Sequence, residues 1–424
     1  MGEVTAQPGG LQHVVFLERA VHDASRMPGG FGKAAFLVLR LVDLVSVGYR
    51  PSARNELFGY QAAATGRYCS EHLEPDPSSD LLLDLVRVAT YAHRREDPGL
   101  LAPAMIALAR GLEDMACYEE ALDVLCTLER VARAHLRPTD AVTTTLRIGR
   151  LHRALARFDL AVEAFARAEE LATAFGNTEG VLRSRLGRAQ VYRLRGNLVD
   201  AERWTTETLV DARNAGLREM QAEAEHHLGV VLGSRGQLHD AVLRFWRSFE
   251  LSSEGILAAA ALLNVGLVLS QLGAVSDAER ALRLVVAQNA SRSNVQNAMI
   301  ELMHCASFRR DRVGFERYRN FCAQEQAQMS PNILADYHWK LGVGLARFGQ
   351  FDRADAELTH ALAVAHTNHL NEFAFRVERV RAGLRDCAMA ELAEHDSSPE
   401  LPTQENPIQV VSAALASLTV SAAG

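Results

Sequence analysis

The sequence predicts an all-α fold, a right-handed α-solenoid of antiparallel helix pairs. A fixed period is the first observation, because one pattern recurs four times between Leu146 and Gln288. Its anchor alanines lie 40, 40 and 37 residues apart: Ala161, Ala201, Ala241 and Ala278. The second observation is a small residue twelve positions before each anchor: Gly149, Ala189, Gly229 and Gly266. The third is a glycine five positions before three of them: Gly196, Gly236 and Gly273.

This spacing has a structural reason. Two small residues twelve positions apart fall on consecutive helices where these cross, and they allow the two backbones to approach closely. The glycine between them ends the first helix, since it tolerates a left-handed backbone. Asp159, Asp200 and Asp277 then fall near the start of the second helix, where a negative charge is favourable. One pair cannot bury its apolar stripe alone, so neighbouring pairs must stack.

Two further positions carry a family resemblance. An aliphatic or aromatic residue follows the small residue by three positions, as at Tyr192, Leu232 and Leu269, whereas His152 is a looser fit. A bulky residue follows the anchor by four, as at Phe165, Phe245 and Leu282, whereas Thr205 departs. This pattern resembles the tetratricopeptide repeats (TPR), whose period is about 34 residues. The longer period resembles that of the kinesin light chain and of the sensor arms of some bacterial regulators, and HEAT-type repeats are the alternative.

We predict four regions along the chain. Residues 1–10 are a disordered leader, and 11–75 are an N-terminal helical cap or a degenerate repeat, with helices near 12–25, 32–48 and 53–72. Three helices ahead of repeats also resemble the layout of the Rap-type response-regulator phosphatases. Residues 80–394 form the TPR superhelix, in which the pattern blurs at 293–328. Residues 395–424 are a disordered tail, although its apolar end (407–420) is alternatively a docking peptide.

Composition and charge limit the classes of function that the chain can have. The net charge of −7 argues against direct binding of nucleic acid. Lys33 and Lys340 are the only lysines, and neither lies in a phosphate-binding loop. The six cysteines include no CxxC pair, which suits reduced thiols and a cytoplasmic location. We expect no signal peptide and no membrane span. The sequence leaves the oligomeric state open, a homodimer included.

We find no motif of a catalytic site, and we predict neither enzyme activity nor a cofactor. The histidine groups are His226, His227 and His239, and further along His360, His366 and His369. Zinc is geometrically feasible where ligands share a helix face, but surface or groove histidines are the favoured interpretation, so no metal site is predicted.

The candidate ligand-binding residues lie on the first helices. The TPR resemblance implies that these helices line a concave, ligand-binding groove. The residues chosen there are Arg147, Arg150, Arg153, Arg183, Gln190, Arg193, His226, His227 and Asn264. Arg147, Arg150 and Arg153 recur every three residues and so form one stripe on their helix. Arginine forks pair with carboxylates, which favours an acidic or carboxylate-ended peptide. An asparagine at the position of Asn264 often binds a peptide backbone in the family. Ordinary surface charge in an arginine-rich chain is the alternative.

The sequence therefore predicts a cytoplasmic protein- or peptide-binding adaptor or scaffold. The alternative is a peptide-sensing signalling regulator whose N-terminal helices form an effector bundle. N-terminal helices that move relative to the repeats would favour the regulator, and helices packed as a simple cap would favour the adaptor. An enzyme with its active site in the groove is the least favoured hypothesis.

Overall fold

The computed structural model describes residues 12–22, 27, 29–45, 52–252, 255–368, 370–385 and 407–421. The predicted leader (1–10) lies outside this part of the chain. The contacts divide the chain into two compact units, Met1–Arg195 (unit 1) and Gly196–Gly424 (unit 2). Within the described residues every long element is an α-helix, which confirms the all-α prediction.

Unit 1 contains nine of these helices. They are α1 Val14–His22, α2 Gly29–Asp43, α3 Ser52–His72, α4 Pro77–Arg95, α5 Ala102–Asp114, α6 Tyr118–Ala132, α7 Pro138–Ala154, α8 Phe158–Ala174 and α9 Thr178–Leu194. The helices of unit 2 are α10 Leu198–Asn214, α11 Arg218–Ser234, α12 Leu238–Leu251, α13 Ile256–Gln271, α14 Val275–Gln288, α15 Arg292–Phe308, α16 Arg312–Glu325, α17 Pro331–Arg347, α18 Phe351–Thr367, α19 Asn371–Arg385 and α20 Pro407–Ser421.

The helices pair because a glycine of the first helix meets a bulky side chain of the second. A Cβ added at Gly149 in α7 would lie 2.9 Å from the Phe165 ring of α8. The same relation joins Gly229 to Phe245 at 2.8 Å and, with leucine as the bulky residue, Gly266 to Leu282 at 2.7 Å and Gly342 to Leu358 at 2.9 Å. The small residue therefore makes room for the bulky residue four positions after the anchor alanine.

The turn between paired helices places one residue in the left-handed region. Glycine occupies it at Gly196, Gly236, Gly273 and Gly349, with φ between 74° and 80°. Where the sequence has no glycine, alanine takes the same conformation at Ala116 (φ 57°) and Ala156 (φ 56°). The turn geometry is thus kept even where a Cβ makes it less favourable.

The first helices of successive repeats form a continuous layer within each unit. In unit 1, α5 contacts α7 and α7 contacts α9. In unit 2 the series runs α11, α13, α15, α17 and α19. We call the surfaces of these two layers the first-helix faces of unit 1 and unit 2.

The N-terminal helices are part of the core of unit 1. Phe16 of α1 and Val38 of α2 are fully buried in a hydrophobic cluster that continues through Ala164 of α8. Polar contacts also tie α1 to α6, since His13, in the turn just before α1, contacts Asp123 at 2.5 Å and Arg19 donates to Glu120 at 2.8 Å. These helices share one hydrophobic core with the following pairs.

Two stretches differ from their sequence pattern. The blurred region at 293–328 forms a regular pair, α15 and α16, and the Phe315 ring packs against Gly344 of α17. Part of the predicted disordered tail is helical, because α20 buries Val411 and Leu415 completely and packs against α12 and α14. Ser412 Oγ also donates to Asp277 Oδ2 at 2.5 Å. Residues 395–406 and 422–424 lie outside the described residues.

None of the described helices combines the length and the apolar character needed to cross a membrane.

Candidate functional site

The predicted arginine stripe of α7 divides into one paired and two unpaired side chains. Arg147 Nη1 donates to Glu113 Oε1 of α5 at 2.7 Å, so Arg147 forms an ion pair between two neighbouring first helices. Arg150 is exposed and Arg153 is half-buried. In the part of the chain that the structure describes, no carboxylate pairs with either of these two guanidinium groups.

Arg153 lies in a positive environment. Burial, followed by the charges of Arg150 and Arg193, lowers the pKa of Arg153 to about 10. Arg193 belongs to α9, so the cluster joins two neighbouring first helices. Like charges this close repel one another, and an anion bound among them would relieve that repulsion. We call Arg150, Arg153 and Arg193 the arginine cluster.

Gln190 adds an unsatisfied donor beside this cluster. Its side chain is buried, and its Oε1 accepts from Arg193 Nε at 3.2 Å. Its Nε2 is also buried and has no hydrogen-bond partner among the described residues. A buried amide without a partner is unfavourable by about 1–3 kcal/mol, which a carbonyl or carboxylate oxygen from a ligand would recover.

Most other arginines of unit 1 pair with a carboxylate, which Arg150 and Arg153 do not do within the described residues. Arg183, a predicted site residue, pairs with Glu179 of its own helix at 2.8 Å. Other arginines form ion pairs with carboxylates of a different element: Arg157 with Glu119, Arg167 with Glu129, Arg185 and Arg188 with Glu169, and Arg195 with Asp159. Arg153 is distinct from these arginines because it is half-buried near two other guanidinium groups and has no carboxylate partner in the described residues.

The predicted site residues of unit 2 contact neighbouring side chains or the backbone of their own helix. His226 packs edge-on against the Phe245 ring at 5.4 Å, and burial lowers its pKa to about 4, so it is neutral near pH 7. The ring of His227 lies edge-on to that of His226, with 5.8 Å between the ring centroids. Asn264 Nδ2 donates to the carbonyl of Ala260, one turn earlier, at 3.0 Å. Neither His226 nor Asn264 adds positive charge to a binding surface.

The first helices of unit 2 also carry a buried charged cluster. Lys340 of α17 is buried, donates to Glu301 of α15, and donates to Asp336 at 2.8 Å. Burial lowers its pKa, but the two carboxylates outweigh burial and raise it, so the ammonium group stays charged. Trp339 beside it contacts Phe373 and Arg376 of α19, and its Nε1 is buried without a described partner.

Three of the buried thiols are poor nucleophiles. Burial raises the pKa of Cys69 to about 11, and that of Cys305 and of Cys322 to about 12. A thiolate is the reactive form, and these groups remain protonated near neutral pH.

No protein-family model matches the chain, and no match to a curated protein was found. Solved structures are similar at low identity. The Rap conjugation gene regulator of the plasmid pLS20, in complex with a Phr peptide, is 11% identical, covers 82% of this chain and 96% of its own, and has a TM-score of 0.52. The apo quorum sensor NprR from B. thuringiensis is 12% identical over 78% of this chain and 87% of its own, with a TM-score of 0.49. A putative kinesin light chain from Podosopora anserina is 19% identical over 46% of this chain and 97% of its own, with a TM-score of 0.34.

The paired helices, the glycine-to-ring packing and the similarity to the Rap regulator agree on one architecture. The fold is of the tetratricopeptide type. The TPR register then relates residues of different repeats by their distance from the small residue of the first helix.

This register reveals residues that the sequence analysis missed. Arg110 of α5 follows Ala109 by one position, as Arg150 follows Gly149 and Gln190 follows Ala189. Burial lowers the pKa of Arg147, and the charges of Arg150 and Arg110 lower it further. Both of these guanidinium groups therefore lie near Arg147. In unit 2, Lys340 precedes Gly342 by two positions, the same register as Arg147 and Asn264. The anchor pattern could have identified both residues.

Proposed function

We propose that this chain is a peptide- or protein-binding module that acts as an adaptor and binds an acidic or carboxylate-ended peptide on the first-helix face of unit 1. The observation that supports it is the arginine cluster, in which Arg153 is half-buried, feels the charges of two other guanidinium groups and has no carboxylate partner in the described chain. Two arginine forks can bind one carboxylate through parallel hydrogen bonds. Gln190 Nε2 supplies a further donor for a peptide carbonyl.

A similar solved structure supports a peptide as the ligand. The pLS20 Rap regulator was solved in complex with a Phr peptide. The proposed cytoplasmic location is supported by free, buried thiols such as Cys69 and Cys305, which require no oxidising compartment.

The packing of the N-terminal helices favours the adaptor over the signalling regulator. A separable effector bundle needs few contacts with the repeats, whereas α1 and α2 share the hydrophobic core of unit 1. The buried Glu120 carboxylate, bonded to Arg19, adds a polar contact that separation would break.

The test is affinity selection from a pool of synthetic ten-residue peptides, half with a free C-terminal carboxylate and half amidated. We expect the wild-type chain to enrich acidic and carboxylate-ended peptides. The double substitution Arg150→Gln with Arg153→Gln should weaken the best of them about ten- to hundred-fold, since a charge-assisted hydrogen bond contributes about 1.5–3 kcal/mol.

The matched control removes two charges from elsewhere in unit 1, through Arg157→Gln with Arg167→Gln, whose partners are Glu119 and Glu129. This variant should bind as the wild type does. Equal losses in both double variants would mean that overall charge decides binding, and no preference for carboxylates would refute the proposed ligand class.

A further inference from the structure

A second group of ligand-type side chains lies in unit 2, between the two helices of one repeat. His338 belongs to α17, and Glu357 and His360 belong to α18. His338 Nδ1 lies 2.7 Å from Glu357 Oε2, and His360 Nδ1 lies 3.8 Å from the same oxygen. One donor atom from each of the three residues lies within 4.8 Å of the others. The arginine cluster in unit 1 shares no residue with this group.

The surrounding structure holds His338 in place and, through the contact of His338 with Glu357, also the Glu357 carboxylate. Helices α17 and α18 are closely packed, with Leu358 against Gly342. His338 is buried and its Nε2 lies 3.0 Å from Gln326 Nε2. With the amide of Gln326 turned over, its oxygen would accept from His338 Nε2–H and leave Nδ1 free to bind a metal. A second hydrogen bond of this kind orients the histidine ligands of metal sites.

The third side chain can adjust. Glu357 and His360 are three residues apart on α18 and so share a helix face, and Glu-x-x-His is a spacing that helical metal sites use. His360 is largely exposed, at 63% of its side-chain surface. A small rotation of its ring would bring Nδ1 from 3.8 Å toward the spacing of about 3.3 Å expected for ligands at about 2.0–2.1 Å around a tetrahedral ion.

We propose that His338, Glu357 and His360 bind one Zn²⁺ ion, with water in the fourth position. Two imidazoles and one carboxylate are a known zinc donor set. The single carboxylate argues against Ca²⁺ and Mg²⁺, which need several oxygen ligands. The ion would join α17 to α18 outside the peptide-binding surface, so this proposal does not depend on the proposed function.

The test is a zinc titration of the tag-free full-length chain in competition with a chromophoric chelator. Replacing Zn²⁺ by Co²⁺ adds a second readout, because tetrahedral Co²⁺ bound to nitrogen and oxygen absorbs visible light. We expect one equivalent to bind, and we expect His360→Asn and Glu357→Gln to weaken it at least ten-fold. His360→Asn is the informative variant, because an exposed side chain can be replaced without unfolding the repeat.

The control is His366→Asn on the same helix, whose Nε2 lies 4.0 Å from Glu378. It should bind Zn²⁺ as the wild type does. Absence of stoichiometric binding by the wild type would overturn the proposal, and so would equal affinity in wild type and His360→Asn. A loss in His366→Asn as large as that in His360→Asn would place the ion elsewhere and would overturn it too.

Discussion

At the scale of single residues, one ring fills the space left by two glycines. The Phe165 ring of α8 lies against Gly149 of α7 and also against Gly187 of α9, so it contributes to packing within its repeat and to the next one. The ring is 1% exposed. The close packing of three helices at this point therefore depends on the absence of two methyl groups.

We predict that Gly187→Ala destabilises the chain. The new Cβ would overlap three atoms of the Phe165 ring, and a buried ring can move away only by displacing its neighbours. Overpacking of this kind costs about 1–3 kcal/mol. A lower midpoint of urea unfolding, with an unchanged slope, would show it.

Gly233→Ala is the matched control for this prediction. Gly233 is also in a helix, but a Cβ added there has no atom within 4 Å. Alanine has a higher helix propensity by about 1 kcal/mol, so this variant should be slightly more stable than the wild type. If both variants shift stability in the same direction, the packing argument is wrong.

The candidate site also shows what a sequence can predict at this scale. The spacing of three residues predicted that Arg147, Arg150 and Arg153 share a helix face. It could not distinguish them, because the partner of Arg147 is Glu113, which is 34 positions earlier in the chain and on another helix. For the same reason the sequence did not indicate that His226 packs against Phe245 and is neutral.

At the scale of elements, the contacts of α1 and α2 with α6 depend partly on a titratable group. His13 bridges Asp43 at the end of α2 and Asp123 in α6, at 3.1 and 2.5 Å. Burial lowers the pKa of His13, but the hydrogen bonds to Asp123 and Asp43 outweigh this and raise it to about 9. The charged imidazolium therefore joins three elements of unit 1.

We predict that this part of the stability falls as the pH rises. A pKa raised above the unfolded value of 6.5 stabilises the fold fully below about pH 6.5, and the contribution is lost as the pH passes through about 9. At about 1.4 kcal/mol per pKa unit, the loss is at most on the order of 3 kcal/mol. Hydrogen exchange of α1 amides at pH 6, 8 and about 9.5 would measure it, after correction for the intrinsic exchange rate.

His13→Gln should remove most of this pH dependence, because glutamine does not titrate. His22→Gln, at the exposed end of α1, should retain it. An unchanged pH dependence in His13→Gln would assign the effect to other groups.

The elements themselves were largely predictable. The anchor pattern located every pair from α5 to α14 and also α17 with α18. It blurred at α15 and α16, where Met303 replaces the small residue and Phe315 packs instead against Gly344 of the next first helix. The contact between Phe315 and Gly344 joins two repeats. The spacing of residues within one repeat does not indicate such a contact, so the periodicity could not predict it.

At the scale of the whole molecule, the last described helix, α20, covers part of unit 2 that is formed by helices more than 100 residues earlier in the chain. Helix α20 packs on α12 and α14, which are second helices, and it carries no charged residue. The sequence predicted a disordered tail here, as is common for terminal segments. An isolated helix of 15 residues is marginal in water, so the contacts with α12 and α14 stabilise it, and the segment itself carries no signal of them.

We predict that Val411→Asp detaches α20. Val411 is fully buried, whereas its neighbour Val410 is 43% exposed, so Val410→Asp is a control that differs by one position. A buried unpaired carboxylate cannot be accommodated, and the apolar contacts of the helix, about 1.5–3 kcal/mol for each fully buried side chain, would be lost.

Limited proteolysis between residues 386 and 421 would detect this change, with faster cleavage expected in Val411→Asp alone. Peptide binding should be unaffected in both variants, because the proposed binding residues belong to unit 1, whereas α20 packs on α12 and α14 of unit 2. Equal protection of both variants would show that α20 is held by other contacts.

The burial of Lys340 has a consequence for chemical labelling. The chain has two lysines, and Lys33 in α2 is exposed whereas Lys340 is enclosed by Glu301 and Asp336. An acylating reagent can therefore reach the Lys33 amine in the folded chain, but it reaches Lys340 only when α15 and α17 separate and the amine loses a proton. The rate at which Lys340 is modified, relative to Lys33, thus reports how often the interior of unit 2 opens.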